Sequence, residues 1–183
     1  MKFNEWLKSV PREFTEDPLW KISVYQMALY ATDLGWHDVT CLMRDRRTLD
    51  LSSQMYEALG SVAANISEGY SRGSNKDRTR FYEYALGSAR ESRGWYYKGR
   101  HVLGERVTMH RIALLTSITK SLLCIVPDER GYTLHDAPAP YASPEQSNAP
   151  LTTLLEDVPM PQSPETHHAS RITTDAHHAS RIT

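Results

Sequence analysis

The chain has 183 residues, 21 Lys plus Arg against 22 Asp plus Glu, and a formal net charge of -1. Such a length fits one domain with an appendage, and the balanced charge excludes the strongly basic composition of simple nucleic-acid-binding domains. Two cysteines, Cys41 and Cys124, are too few for a disulfide framework and lack metal-ligand spacing, so both read as reduced core thiols of a cytoplasmic protein. Met1 to Lys8 lacks the apolar run of a signal peptide. The greasiest stretch, Ile112 to Val126, contains Lys120 and is too short for a bilayer, so no membrane association is expected.

Residues 1–16 carry a small amphipathic piece, Phe3, Trp6, Leu7 and Val10, suited to covering one end of a larger helical unit. Asp17-Pro18 then supplies a helix start, an acceptor side chain followed by a residue that needs no N–H partner. Trp20, Val24, Met27, Ala31 and Leu34 form one apolar stripe of the first long helix, with Ile22, Tyr25 and Leu29 on a second face. Gly35 interrupts the pattern, and Trp36–Arg47 reads as a shorter helix. The second long helix is expected over Leu51–Glu68, because Leu51, Met55, Leu59, Val62 and Ile66 fall within about 80° of one another. Gly69 stands where a C-terminal cap glycine belongs.

Ser74 and Asp77 resemble a capping box and open a third helix over Asn75–Val102. Phe81, Tyr84, Ala85, Ser88, Ser92, Trp95 and Gly99 share one side of it. The fourth helix, Glu105–Val126, carries Val107, Leu114, Leu115, Ile118, Leu122 and Ile125, and Pro127 is expected to stop it. Four long amphipathic helices with short connections and no strand pattern predict an all-α, up-and-down four-helix bundle over residues 1–130.

Residues 131–183 differ in kind. They carry only Arg171 and Arg181 against six acidic residues, together with seven of the ten prolines. They read as a Pro-rich, acidic, disordered tail without apolar periodicity. Its end repeats itself: His167-His168-Ala169-Ser170-Arg171-Ile172-Thr173 recurs as residues 177–183. Two copies are too few for a solenoid.

No catalytic constellation is legible, so no enzyme activity is expected. His101 and His110 lack the glutamate three residues upstream that a di-iron bundle uses, and no phosphate loop follows a strand, so neither metal nor cofactor is expected. Two surface features stand out instead. Gly60, Ala63, Ala64 and Ser67 make a small-residue face on the second helix, where a solvated face would carry better helix formers. That face suits packing against another subunit, with Asn65 and Glu68 as candidates for fixing register. On the third helix Lys76, Arg80, Arg90 and Lys98 lie along the outer side, with Arg72 in the preceding loop. Glu83 and Glu91 share that side, so a solvated, salt-bridged face stands beside a phosphate-binding track as a reading.

The run Ser61-Val62-Ala63-Ala64-Asn65-Ile66-Ser67-Glu68-Gly69, then Arg72, Ser74, Lys76 and Asp77, then Arg80 through Glu91, resembles the four-helix-bundle protein family. That family includes proteins encoded in intervening sequences of bacterial 23S rRNA genes and the accessory variability determinant of diversity-generating retroelements. The resemblance extends more loosely over residues 18–126. It implies an up-and-down bundle assembled as a ring-like homopentamer, and a partner that is RNA or a reverse transcriptase bound through basic surface. The expected function is that of an oligomeric binding module contacting RNA or a nucleoprotein. The alternative is a purely structural self-assembling bundle with no nucleic-acid role.

Overall fold

The Asp17 carboxylate accepts from the Leu19 backbone N–H at 2.8 Å and caps a short 3-10 turn, Pro18–Lys21. The long helix starts only after it, with Ile22 as its N-terminal flank. The computed structural model describes residues 1–130 and 150–162, the side chains of 127–130 excepted. Its helices are α1 (Phe3–Ser9), α2 (Arg12–Thr15), α3 (Ser23–Leu42), α4 (Leu49–Tyr70), α5 (Asn75–Leu103), α6 (Glu105–Arg130) and α7 (Leu151–Glu156). Helices α3 to α6 pack each against the next, and α3 also meets α6, which closes the four-helix bundle. Strands are absent among the described residues.

Two glycines differ from their sequence reading for one reason, close helix approach. Gly35 does not break α3, which runs unbroken through it to Leu42. A Cβ at Gly35 would collide with Leu59 Cδ1, so the missing side chain is what lets α4 lie against α3 there. Gly69 is likewise no cap. It is buried inside α4, where a Cβ would meet the Tyr82 ring at 2.8 Å and the Arg78 carbonyl oxygen at 3.2 Å. The glycine that works through its backbone is Gly104, whose φ of 81° makes the one-residue turn between α5 and α6.

Pro127 does not end α6, which continues to Arg130. Proline's φ is itself a helical value, and the lost hydrogen bond and the clash with the carbonyl four residues back bend a helix as readily as they end it. Glu105–Val126 is also longer than the apolar run read from the sequence. By length and composition alone it would suffice to cross a membrane. In the bundle that apolarity fills the core: Leu114, Leu115, Ile118 and Leu122 are all buried. Cys124, expected in the core, is exposed on the outer side of the same helix, while Cys41 is half-buried and its thiol pKa is raised by burial.

The buried face of α5 is rotated from the expected one. Ala85, Ser92 and Gly99 are buried as anticipated, but Tyr82, Leu86, Ala89, Tyr96 and Leu103 complete the seam. Phe81 and Trp95 are only half-buried, and Tyr84 is 52% exposed. Aromatic residues stand on two adjoining faces of α5, and the face that packs carries the small residues α4 and α6 can approach.

Phe3 and Trp6 of α1 are buried, with Trp6 stacked on Phe3 at 5.8 Å and tilted against Tyr30 of α3 at 5.3 Å. The Trp6 indole N–H donates to Asp33, and the Tyr30 hydroxyl donates to the Met1 carbonyl at 2.7 Å. The N-terminal piece thus covers part of α3.

Part of the expected disordered tail is ordered. Residues 150–162 contain α7 and pack on α6 and α1. Leu155 and Val158 lie against the core, and Pro159 is buried. The spacing Leu151, Leu154, Leu155, Val158 is one apolar helical face, short enough to be lost among the surrounding prolines. The duplicated segment lies outside the described residues.

Candidate nucleic-acid interface

Ser74 opens α5 much as its sequence suggests. Its hydroxyl oxygen accepts from the Asp77 backbone N–H at 3.1 Å and donates to the Asp77 carboxylate at 2.8 Å. The return half of a capping box differs, since the aspartate takes the hydroxyl rather than the backbone donor. This start sets the register of every basic residue on the helix. Arg72, Lys76, Arg80, Arg90 and Lys98 are all exposed.

They fall into two groups. Around the start of α5, the guanidinium of Arg72 lies over the Phe81 ring at 4.5 Å and that of Arg80 at 5.5 Å, with Tyr84 edge-on to the same ring at 5.8 Å. Further along, Lys98 Nζ sits 4.0 Å from the Trp95 centroid, and Arg100 stacks over Tyr97 at 4.1 Å. Each such contact is worth about 0.5–1 kcal/mol at an exposed site and holds a mobile cation in place. Arg90 lies between the groups, roughly 15 Å beyond Arg80 at 1.5 Å per residue.

Acidic neighbours temper the charge. Arg72 pairs with Glu68, and Arg80 approaches Asp77 at 3.8 Å. The Trp95 indole N–H donates to Glu91 at 3.1 Å. Helix stability does not explain Lys76, which in the first turn opposes the helix dipole and forms a like-charged i,i+4 pair with Arg80.

The small-residue face divides. Ala63 is buried within the bundle, whereas Gly60, Asn65 and Ser67 are half-buried and Ala64 is exposed. Asn65 donates to the Ser61 carbonyl at 2.8 Å within its own helix, and Glu68 serves Arg72. Trp36 of α3, 59% exposed, meets Tyr56 of α4 edge-on at 6.0 Å, an aromatic pair on the outer surface of these two helices.

The most conspicuous polar cluster escaped the sequence reading. Asp38 and Arg111, 0% and 1% exposed, form an ion pair inside the bundle. Arg111 Nε donates to Asp38 Oδ2 at 2.7 Å and Nη2 to Oδ1 at 3.2 Å, while the Tyr96 hydroxyl donates to Oδ2 at 2.8 Å. Burial, with the Asp38 carboxylate beside it, pushes the Tyr96 pKa well up. Arg111 also donates to the Pro159 carbonyl at 3.0 Å and to His110 Nδ1 at 2.9 Å. A signal existed. Asp38 stands four residues from both Leu34 and Leu42, and Arg111 four from both Val107 and Leu115, so each charge falls on an apolar stripe. The cluster ties α3, α5, α6 and residues 150–162 together.

Among the described residues, no three His, Cys, Asp or Glu side chains converge as a metal site. Fold and surface together define a small helical-bundle protein with cations and aromatic rings interleaved along one helix. The chain belongs to the 23S rRNA-intervening sequence protein family, whose profile matches residues 21–121, from the turn before α3 to late α6. Comparison with curated proteins and with solved structures returned no match.

Proposed function

We propose that this protein is an accessory module, not an enzyme, that contacts RNA or an RNA–protein complex such as a reverse transcriptase with its RNA. The contact runs through the outer face of α5. Family membership supports an rRNA-related role. The single observation that carries the reading is the Phe81 ring with the guanidinium groups of Arg72 and Arg80 over it, beside exposed Tyr84. Cations fixed on rings offer phosphates a charge and bases a stacking surface at once. Acidic neighbours keep the local excess small, so affinity is weak per chain and gains from repetition in a homo-oligomer, a pentamer on the family resemblance. Gly60 and exposed Ala64 provide the close-approach face for that assembly.

The test is a salt titration of binding to a structured RNA by the wild type and by an Arg80→Glu/Arg90→Glu double variant, with oligomeric state followed in parallel. Binding that weakens steeply with salt through counterion release, and is reduced in the variant without dissociation, supports the proposal. No binding at low salt, or equal binding by both proteins, refutes it. That result favours the second reading, a purely structural self-assembling bundle, for which the Arg72–Glu68 and Arg80–Asp77 pairs already speak.

A further inference from the structure

His110 stands at the join between α6 and residues 150–162, and its partners fix its protonation. Nε2 lies 2.7 Å from the Leu154 carbonyl oxygen, which only accepts, so Nε2 carries the proton. Nδ1 lies 2.9 Å from Arg111 Nη1, which only donates, so Nδ1 is the bare nitrogen. The Leu154 carbonyl can accept from Nε2 in either protonation state, but docking holds the ring buried with Nδ1 against Arg111 and so favours the neutral imidazole. A proton on Nδ1 sets two N–H groups against each other and adds a second positive charge beside a buried guanidinium.

We propose that residues 150–162 form a strap latched through neutral His110, and that protonation of His110 releases it from the bundle. A cleft of about 190 Å³ lined by Arg106, His110, Thr153, Leu154, Asp157 and Pro159 lets water reach the ring. Other fastenings hold the strap as well. They are Arg111 to the Pro159 carbonyl, Arg106 to Asp157 at 2.8 Å, and Lys2 and Asn4 of α1 to Glu156 at 3.2 and 3.1 Å.

The charged groups facing His110 are Arg111 and Arg106 from α6, Asp38 from α3 and Asp157 from the strap. Burial lowers the His110 pKa from its ordinary value; the Leu154 carbonyl works against that, Arg111 adds to it, and Asp38 and Asp157 favour the cation. The sign follows. Docking is full above the ordinary histidine pKa of about 6.5 and is lost as pH falls from there through the docked value. One proton limits the change to about tenfold per pH unit. Loss of docking that disappears when the imidazole is replaced by a group that does not titrate belongs to the histidine.

The test is hydrogen exchange on the full-length protein from about pH 8 to about pH 5, expressed as protection factors so that intrinsic exchange rates cancel. The reporters are the α7 amides of Thr153, Leu154 and Asp157, bonded to the Pro150 and Thr153 carbonyls, with α4 as internal control. Strap protection is expected to fall severalfold, at most about tenfold per pH unit, below about pH 6.5, while α4 stays protected. His110→Gln keeps an N–H donor towards Leu154 and does not titrate, so its profile is flat; Asp157→Asn retains the wild-type slope. A flat wild-type profile, or the wild-type slope surviving in His110→Gln, overturns the proposal. If glutamine fails to seat, low protection at every pH shows it, and the wild-type and Asp157→Asn slopes decide.

Discussion

Removing Asp38 tests how the bundle interior is held together. Its carboxylate takes three donors, from Tyr96 at 2.8 Å and from Arg111 at 2.7 and 3.2 Å. In Asp38→Ala the Arg111 charge stays where it is 1% exposed, with His110 Nδ1 and the Pro159 carbonyl still accepting from it. Losing one partner of a buried pair costs about 3–5 kcal/mol. At roughly 2–4 °C per kcal/mol for a chain of this size, that lowers Tm by about 6–20 °C. Arg111→Met strands the carboxylate instead and costs a similar amount. The double variant buries neither charge, so its cost falls short of the sum of the singles by about 3 kcal/mol. Urea unfolding followed by far-UV circular dichroism gives all three values. Additive single effects, or a cost below about 1 kcal/mol for Asp38→Ala, would refute a paired buried charge as the organising contact.

Tyr96→Phe deletes one hydrogen bond to a charged acceptor and should cost about 1.5–3 kcal/mol in the same unfolding assay. Gly69→Ala pushes a methyl into the Tyr82 ring and the Arg78 carbonyl and should destabilise by about 1–3 kcal/mol. Gly94→Ala meets nothing within 4 Å and should stabilise by up to about 1 kcal/mol; comparing their melting temperatures checks both. Truncation after Arg130 removes Leu154 and Pro159 from His110 and Arg111 and should lower Tm, whereas truncation after Gln162 removes none of the contacts described; equal Tm values would contradict the docked strap. Ala64→Arg should shift light scattering towards smaller species with helicity kept, and a wild type that is monomeric at micromolar concentration would sink the assembly proposal.

Period and punctuation in the sequence determined the bundle. Leu51, Met55, Leu59, Val62 and Ile66 could bury together only as one helical face, and Ser74 with Asp77 marked where α5 begins. Lys76, Arg80, Arg90 and Lys98 were legible for the same reason, since helical register alone puts these four on one side. Glycine and proline misled because their local preferences compete with packing. Gly35 and Gly69 serve close approach to Leu59 and Tyr82, and nothing within either helix announces what will lie opposite. The rotation of α5 was settled by which face its neighbours could reach, so Phe81 was left half-buried with Arg72 and Arg80 over its ring. Asp38 and Arg111 interrupt apolar stripes on helices 73 residues apart in sequence. Only the folded chain brings them within hydrogen-bonding distance, because a charge can stay inside an apolar core when its counter-charge arrives from another helix. Residues 150–162 followed the same rule. Alone, Leu154, Leu155 and Val158 are too few to offset the entropy of ordering, and the segment is held because α6 presents His110 and Arg111 to its carbonyl groups.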